Sequence, residues 1–185
     1  MANRLAPLTP PFAPDVAAAL ARYPQRDGVL LSLFRTFANS VRFLKKGVPS
    51  LLDADSPLPL RAREIVILRV TANYGCAYEW GVHAKVFAKA AGFSPAHIAA
   101  TAEAGEAGEA EWTEAEARLI AAVDALCARA ALPDALQEGF EADWSLEQQL
   151  EILSLVGAYH IVSCVANVAR LPPEPYAVPF PAAAA

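Results

Sequence analysis

Residues 61–91, RAREIVILRVTANYGCAYEWGVHAKVFAKAA, decide the fold of this chain. Apolar residues recur at helical spacing on both sides of the tripeptide Asn73-Tyr74-Gly75. Asn and Gly tolerate the left-handed backbone conformation that ends a helix. The stretch therefore predicts two helices that fold back on each other as an antiparallel hairpin.

The predicted hairpin brings four reactive side chains together. Cys76, Glu79 and His83 follow each other at i, i+3 and i+7, which places them on one face of the second helix. Residues equally far from the turn lie opposite each other, and this puts Glu64 of the first helix opposite His83. An imidazole between carboxylates is suited to general acid/base catalysis. We expect Glu64, Cys76, Glu79 and His83 to be the catalytic residues.

The same residues carry a resemblance to a known family. The spacing of Glu64, Cys76 and His83, together with the sequence around them, resembles the carboxymuconolactone decarboxylase and alkylhydroperoxidase D superfamily. The resemblance is close over about residues 60–100, and it implies an all-α helical bundle that assembles as a dimer, trimer or hexamer. The peroxidase branch carries a Cys-x-x-Cys pair on this helix, and the second of those positions is Glu79 here.

This difference favours one of the two reactions that the resemblance implies. The decarboxylase branch acts on small carboxylated lactones by acid/base chemistry around a histidine, and Glu79 in place of a cysteine suits that chemistry. The alternative is a single-cysteine peroxidase, in which Cys76 is oxidised to a sulfenic acid and reduced by an outside thiol. The start of a helix is expected to lower the pKa of Cys76, as such a reaction requires.

Two further classes stay open. A Cys/Glu/His cluster could bind Zn²⁺, although no Cys-x-x-Cys pair or second nearby histidine supports it. The chain could also be a non-catalytic oligomeric protein with a vestigial pocket. We favour an enzyme that has a small-molecule substrate and neither a cofactor nor a metal.

Four residues outside the catalytic set are expected to line the substrate pocket. Two aromatic residues flank the site on the second helix, and two polar residues lie at i, i+7 spacing on a later apolar helix, LEILSLVGAYHIVSCVANVAR. Buried polar groups need partners, and a pocket would supply them for this later pair, bringing its histidine towards His83. The four residues are Tyr78, Trp80, His160 and Asn167.

The rest of the chain predicts more helices. Residues 29–46 have the apolar stripe of one amphipathic helix. Thr113-x-x-Glu116 and Ser145-x-x-Gln148 are capping boxes that predict two helix starts. Cys127 and Cys164 lie within apolar helical stripes and are expected in the core. We find no alternating β pattern of useful length, so the predicted fold class is all-α.

Composition sets the broader limits. The 185 residues fit one domain, 1–185, with proline-rich arms at 1–14 and 171–185. The second arm is expected to be disordered or laid along a neighbouring subunit. The net charge of -5 does not favour binding to nucleic acid, which is negatively charged. No apolar run is expected to be long enough to cross a bilayer. With three cysteines and no signal-peptide pattern at the start, we expect a cytoplasmic protein without nucleic-acid or membrane partners.

Overall fold

The computed structural model describes residues 4–26, 28–103 and 110–181 of the chain. These residues form an all-α bundle with one two-stranded antiparallel ribbon near the start, as the sequence predicted for the fold class. The elements in chain order are α1 Pro14–Leu20, β1 Gln25–Arg26, β2 Val29–Leu30, α2 Ser32–Phe37, α3 Val41–Lys46, α4 Leu60–Asn73, α5 Ala77–Val86, α6 Pro95–Ala102, α7 Glu114–Arg129, α8 Asp134–Asp143 and α9 Leu146–Ala169.

Helix α4 is the centre of the bundle. Every residue from 62 to 71 is buried, and α5, α6, α7 and α9 all pack against it. One charged residue of this helix, Arg69, is stabilised by Asp124 on α7, whose carboxylate oxygens accept hydrogen bonds at 2.5 and 2.7 Å. A helix that is apolar on most of its circumference is typical of a core position.

The predicted turn between α4 and α5 is confirmed. Gly75 has φ +58°, and its N–H donates to the carbonyl of Ala72 at 2.9 Å. The N–H of Cys76 donates to the carbonyl of Thr71 at 2.8 Å. This pair of hydrogen bonds is the Schellman motif, which ends a helix and reverses the chain within a few residues. The hairpin brings α5 back along α4.

Both predicted capping boxes are present, at Thr113 for α7 and at Ser145 for α9. The prediction of one helix over 29–46 is wrong, because the segment divides into β2, α2 and α3. Ser40 lies at the break, and its hydroxyl accepts a hydrogen bond from the N–H of Phe43 at 3.2 Å. A capping serine starts a new helix here in preference to continuing the old one.

The C-terminal arm packs on its own chain through residue 181, so the prediction that it is disordered or bound to a neighbour is wrong for this part. The N–H of Val178 donates to the carbonyl of Gly81 at 3.0 Å. The ring of Phe180 meets that of Trp80 edge to face at 5.1 Å. Residues 171–181 therefore form a strap over α5, and the last four residues of the predicted arm lie outside the described part.

Candidate functional site

The hairpin places Glu64 and His83 in direct contact in the core. The Nδ1–H of His83 donates to Oε2 of Glu64 at 2.7 Å, and both side chains are at most 2% exposed. The short turn fixes this pairing, because α4 and α5 can align in one register only. The carboxylate therefore sets both the orientation and the tautomer of the imidazole.

The other nitrogen of His83 faces two further groups. The hydroxyl of Tyr159, on α9, lies 3.0 Å from Nε2, and Oε1 of Glu79 lies 3.5 Å from the same atom. Burial, with help from the Glu79 and Glu64 carboxylates, raises the pKa of Tyr159 well above its ordinary value of 10. The phenol therefore keeps its proton and is a hydrogen-bonding partner of the imidazole.

His83 is a protonated imidazolium at neutral pH. Burial by itself lowers the pKa of His83, but the charges and hydrogen bonds of Glu64 and Glu79 oppose this and bring it to about 9. Opposite charges at contact distance favour the charged form of a histidine. The site therefore holds a transferable proton on Nε2, next to Glu79.

Arg63 contributes a second buried positive charge. Its side chain is 9% exposed, and its Nε lies 3.5 Å from Oε1 of Glu64. Its guanidinium lies 6.0 Å from the ring centre of Phe87, which also packs against His83. Arginines in the first turn of a helix usually point to solvent, so the sequence favoured a solvated Arg63 over one paired with Glu64 or a substrate carboxylate. Its burial makes that expectation wrong.

Several buried polar atoms around His83 have no hydrogen-bond partner among the described residues. Five such side-chain atoms occur in the described part of the chain, and four belong to residues of this neighbourhood: Arg63 Nε, Glu64 Oε1, Glu79 Oε2 and Ser163 Oγ. Buried polar groups are almost always satisfied in folded proteins. Their concentration here indicates a place where a polar molecule binds.

Cys76 lies at the start of α5, as predicted, but its thiol is not activated. The residue is fully buried, and this burial raises the pKa of Cys76 to about 11, although the backbone N–H groups of Glu79 and Tyr78 and the hydroxyl of Ser163 lower it. The expectation of a lowered pKa is therefore wrong. The favourable amides at the helix start do not offset the loss of water around the sulfur.

The two aromatic residues predicted to line the pocket have structural partners instead. The hydroxyl of Tyr78 donates to Oε1 of Glu174 in the strap at 2.6 Å and accepts from the N–H of Leu33 at 3.2 Å. The indole N–H of Trp80 donates to Oγ1 of Thr101 on α6 at 3.0 Å. Both side chains are buried and hold α5 against its neighbours.

His160 and Asn167 do not line a pocket beside His83, and this prediction is wrong. Both are exposed on α9 and surround Tyr74 at the hairpin turn. The ring of His160 stacks on that of Tyr74 at 4.1 Å, and the side-chain amide of Asn167 donates to the Tyr74 carbonyl at 2.8 Å. The neighbouring residue in sequence, Tyr159, occupies the position expected for His160.

The two other cysteines are less buried than predicted. Cys127 is only partly buried and Cys164 is exposed, so Cys164 is not a core residue. Among the described residues, no group of three or more His, Cys, Asp or Glu side chains is arranged to hold a metal ion.

The side chain of His83 is only 2% exposed among the described residues. A cavity of about 300 Å³ opens at the surface between residues 51–57 and the first two turns of α9, and its lining includes Asp53, Asp55, Glu147 and Glu151. None of the residues around His83 lines it.

The comparison with known families agrees with the geometry. The sequence profile of the carboxymuconolactone decarboxylase family matches residues 48–138, which include α4, α5 and the Glu64–His83 pair. The match covers 91 of the 185 residues, and it supports the predicted resemblance to that superfamily. The match extends over α6 and α7 and into α8. No curated protein matches the chain.

The decarboxylase-like segment ends before α9, although α9 supplies Tyr159 and Ser163 to the site. Helix α9 is also long and apolar enough to cross a membrane, with a mean hydropathy of 1.7 in its most apolar window, so the expectation that no apolar run reaches this length is wrong. Half of that window is buried inside the fold, and a single such helix is weak evidence for a membrane span. The predicted absence of a membrane partner stays a prediction.

Proposed function

We propose that this protein is a carboxymuconolactone decarboxylase-like enzyme that transfers a proton to carbon during decarboxylation of a small carboxylated substrate. The observation that supports it is the row Glu64–His83–Glu79, in which Nδ1 of a buried imidazolium is hydrogen bonded to Glu64 and Nε2 lies 3.5 Å from the carboxylate of Glu79. Such a row stores a proton and delivers it in one direction, because Glu64 anchors Nδ1 and leaves Nε2 as the exchanging atom.

Glu79 is the group that meets the substrate in this proposal. Its Oε2 is buried and has no hydrogen-bond partner among the described residues, whereas Oε1 is directed towards His83. The bond between the substrate carbon and its carboxylate breaks, CO₂ leaves, and the electron pair stays on the carbon, stabilised by the adjacent carbonyl system. His83 Nε2 passes its proton to Glu79, the carbon takes that proton from Glu79, and water then restores the proton on His83.

Arg63 is proposed to balance charge around the substrate. Its Nε has no hydrogen-bond partner among the described residues, and it lies beside Glu64, close to the imidazole. A guanidinium at this depth favours an anionic group in its neighbourhood. We therefore propose small carboxylates, and not neutral esters or amides, as the substrate class.

The alternative is a single-cysteine peroxidase that uses Cys76. The backbone N–H groups at the start of α5 and the hydroxyl of Ser163 favour a thiolate there. The raised pKa and full burial of the thiol argue for acid/base chemistry over this alternative, since the thiolate is the reactive form.

Two substitutions separate the two activities. The native protein and the Glu79→Gln and Cys76→Ser variants are each assayed with carboxylated lactones and, separately, with a small hydroperoxide. CO₂ release is measured with the lactones, and peroxide consumption with the hydroperoxide. We expect Glu79→Gln to lower CO₂ release about 100-fold or more, in the range of general acid/base effects, and Cys76→Ser to leave it within a few-fold. His97→Gln, at the start of α6, is the control, because Gln also serves as the third residue of a capping box. Peroxide consumption abolished by Cys76→Ser, or CO₂ release that is unchanged in Glu79→Gln, would overturn the proposal.

A further inference from the structure

The outer face of α9 is unusually apolar. Eight large hydrophobic side chains are exposed in the described part of the chain, and five of them lie on this helix. Successive members are three, four, seven or eight residues apart, which places them in one stripe along the helix. The five are Leu146, Leu150, Leu153, Ile161 and Val168.

The same face carries no formal charge over most of its length. From residue 152 to residue 169 the sequence contains no Asp, Glu, Lys or Arg, although the chain as a whole has a net charge of -5. A helix that faces water normally carries charged residues on that side. Two copies of an acidic protein repel each other least where their surfaces are uncharged, so this face is the one that suits a second copy.

Gly157 lies in the middle of the stripe and has no explanation within the chain. A Cβ atom added there would meet nothing within 4 Å, and glycine inside a helix costs about 1 kcal/mol relative to alanine. Gly81 on α5 is a useful contrast, because a Cβ atom there would lie 2.4 Å from the carbonyl oxygen of Val178 in the strap. A small residue on an apolar helix face permits close approach of another helix.

The stripe is symmetric about Gly157. Leu146 and Val168 are equally far from it in sequence, as are Leu150 and Cys164, and Leu153 and Ile161. An antiparallel pair of such helices related by a two-fold axis at Gly157 would place each residue opposite its counterpart in the other copy. A two-fold interface requires this self-complementarity.

We propose that the outer face of α9 is a homodimer interface, in which two copies of the helix cross antiparallel at Gly157. The helix is about 36 Å long at 1.5 Å per residue, and Leu51, in the connector between α3 and α4, lines the same surface cavity as Leu150. A standard interface takes about 20 to 30 residues from each partner, so the dimer includes this connector as well as α9.

Disulfide trapping tests the crossing directly. In a Cys164→Ala background, Gly157→Cys places a cysteine on the proposed two-fold axis, and mild oxidation should give a disulfide-linked dimer in most of the protein. Val168→Cys is the matched control, because antiparallel copies hold these residues about 33 Å apart along the helix, far beyond disulfide reach. A parallel pair would link both variants equally and would overturn the proposal.

The oligomeric state of the native protein is the second measurement. Sedimentation velocity should give twice the chain mass of 19.6 kDa, and Gly157→Leu should weaken association at least tenfold while circular dichroism and thermal unfolding show an intact fold. A leucine side chain at this position has room in the monomer, so loss of dimer without loss of fold is specific to the interface. A native protein that sediments as a monomer would overturn the proposal. So would a monomer that co-sediments with lipid vesicles, because the apolar face would then bind lipid in place of a second copy.

Discussion

The charge on His83 makes stability depend on pH in a way that can be measured. Its folded pKa of about 9 lies above the ordinary value of 6.5, because the Glu64 and Glu79 carboxylates more than compensate for burial. Because the folded state holds the proton of His83 more tightly than the unfolded state, protonated His83 stabilises the fold. This contribution is fully present below about pH 6.5 and is lost as the pH rises through about 9. At about 1.4 kcal/mol for each pH unit, the whole contribution is on the order of 3 kcal/mol.

The perturbation is Glu64→Gln, which keeps the shape of the side chain and removes the main cause of the raised pKa. Urea unfolding is followed at several pH values between about 6.5 and 8.5, where any ionisation of the thiols is common to both proteins. The native protein should lose about 2 kcal/mol of its free energy of unfolding across this interval. Glu64→Gln should lose much less, because its imidazole has no carboxylate on Nδ1 to retain the proton.

His97→Gln is again the control, and it should follow the native profile. NMR of the imidazole nitrogens provides a second measurement, in which His83 of the native protein is still doubly protonated at about pH 8. A free energy of unfolding that stays constant across the interval, or one that rises, would refute the assignment of a buried imidazolium. An equal decline in Glu64→Gln would refute the role of Glu64.

Two other predictions concern packing and reactivity. Gly81→Ala should destabilise the fold by about 1 to 3 kcal/mol and increase hydrogen exchange at Val178, since the new methyl group would overlap the strap carbonyl. Lys85→Ala, on the exposed side of the same helix, is the control, and equal effects of both would contradict the packing described. At about pH 8, iodoacetamide should modify buried Cys76 at least tenfold more slowly in the native protein than in the urea-unfolded chain, as read by peptide mass spectrometry, whereas equal rates would contradict the burial of Cys76.

The central hairpin was predictable because local signals specify it completely. The residues Asn73 and Gly75 mark one turn, and a short turn leaves a single register, so the contact between Glu64 and His83 followed from counting along the chain. The capping boxes of α7 and α9 succeeded for the same reason. The depth of burial did not follow, since it depends on segments far away in sequence, and this is why the prediction for the Cys76 pKa failed.

The rotation of α9 was not predictable, and its composition explains why. Apolar residues occupy both its buried and its exposed side, so the helical pattern does not indicate which side faces the core. The choice between Tyr159 and His160 is a rotation of about 100°, and only packing against α4 and α5 decides it. The apolar residues on the exposed side of α9 made its buried side impossible to identify from the sequence. The same exposed residues are the basis for the proposed dimer interface.

The charges around His83 connect the proposed reaction to the stability of the fold. Counted with both carboxylates ionised, Glu64 and Glu79 carry two negative charges, and Arg63 with protonated His83 carries two positive ones. Deprotonation of His83 would leave one negative charge uncompensated in the interior, which is costly where water is excluded. The interactions that keep the imidazole protonated in the resting protein are therefore the same ones that supply the proton for the proposed reaction. In the proposed reaction the negative charge of the substrate carboxylate disappears when CO₂ leaves, and the positive charge of His83 disappears when its proton reaches the carbon. The total buried charge is therefore the same before and after the chemical step. Uptake of a proton from water then returns the empty site to neutrality.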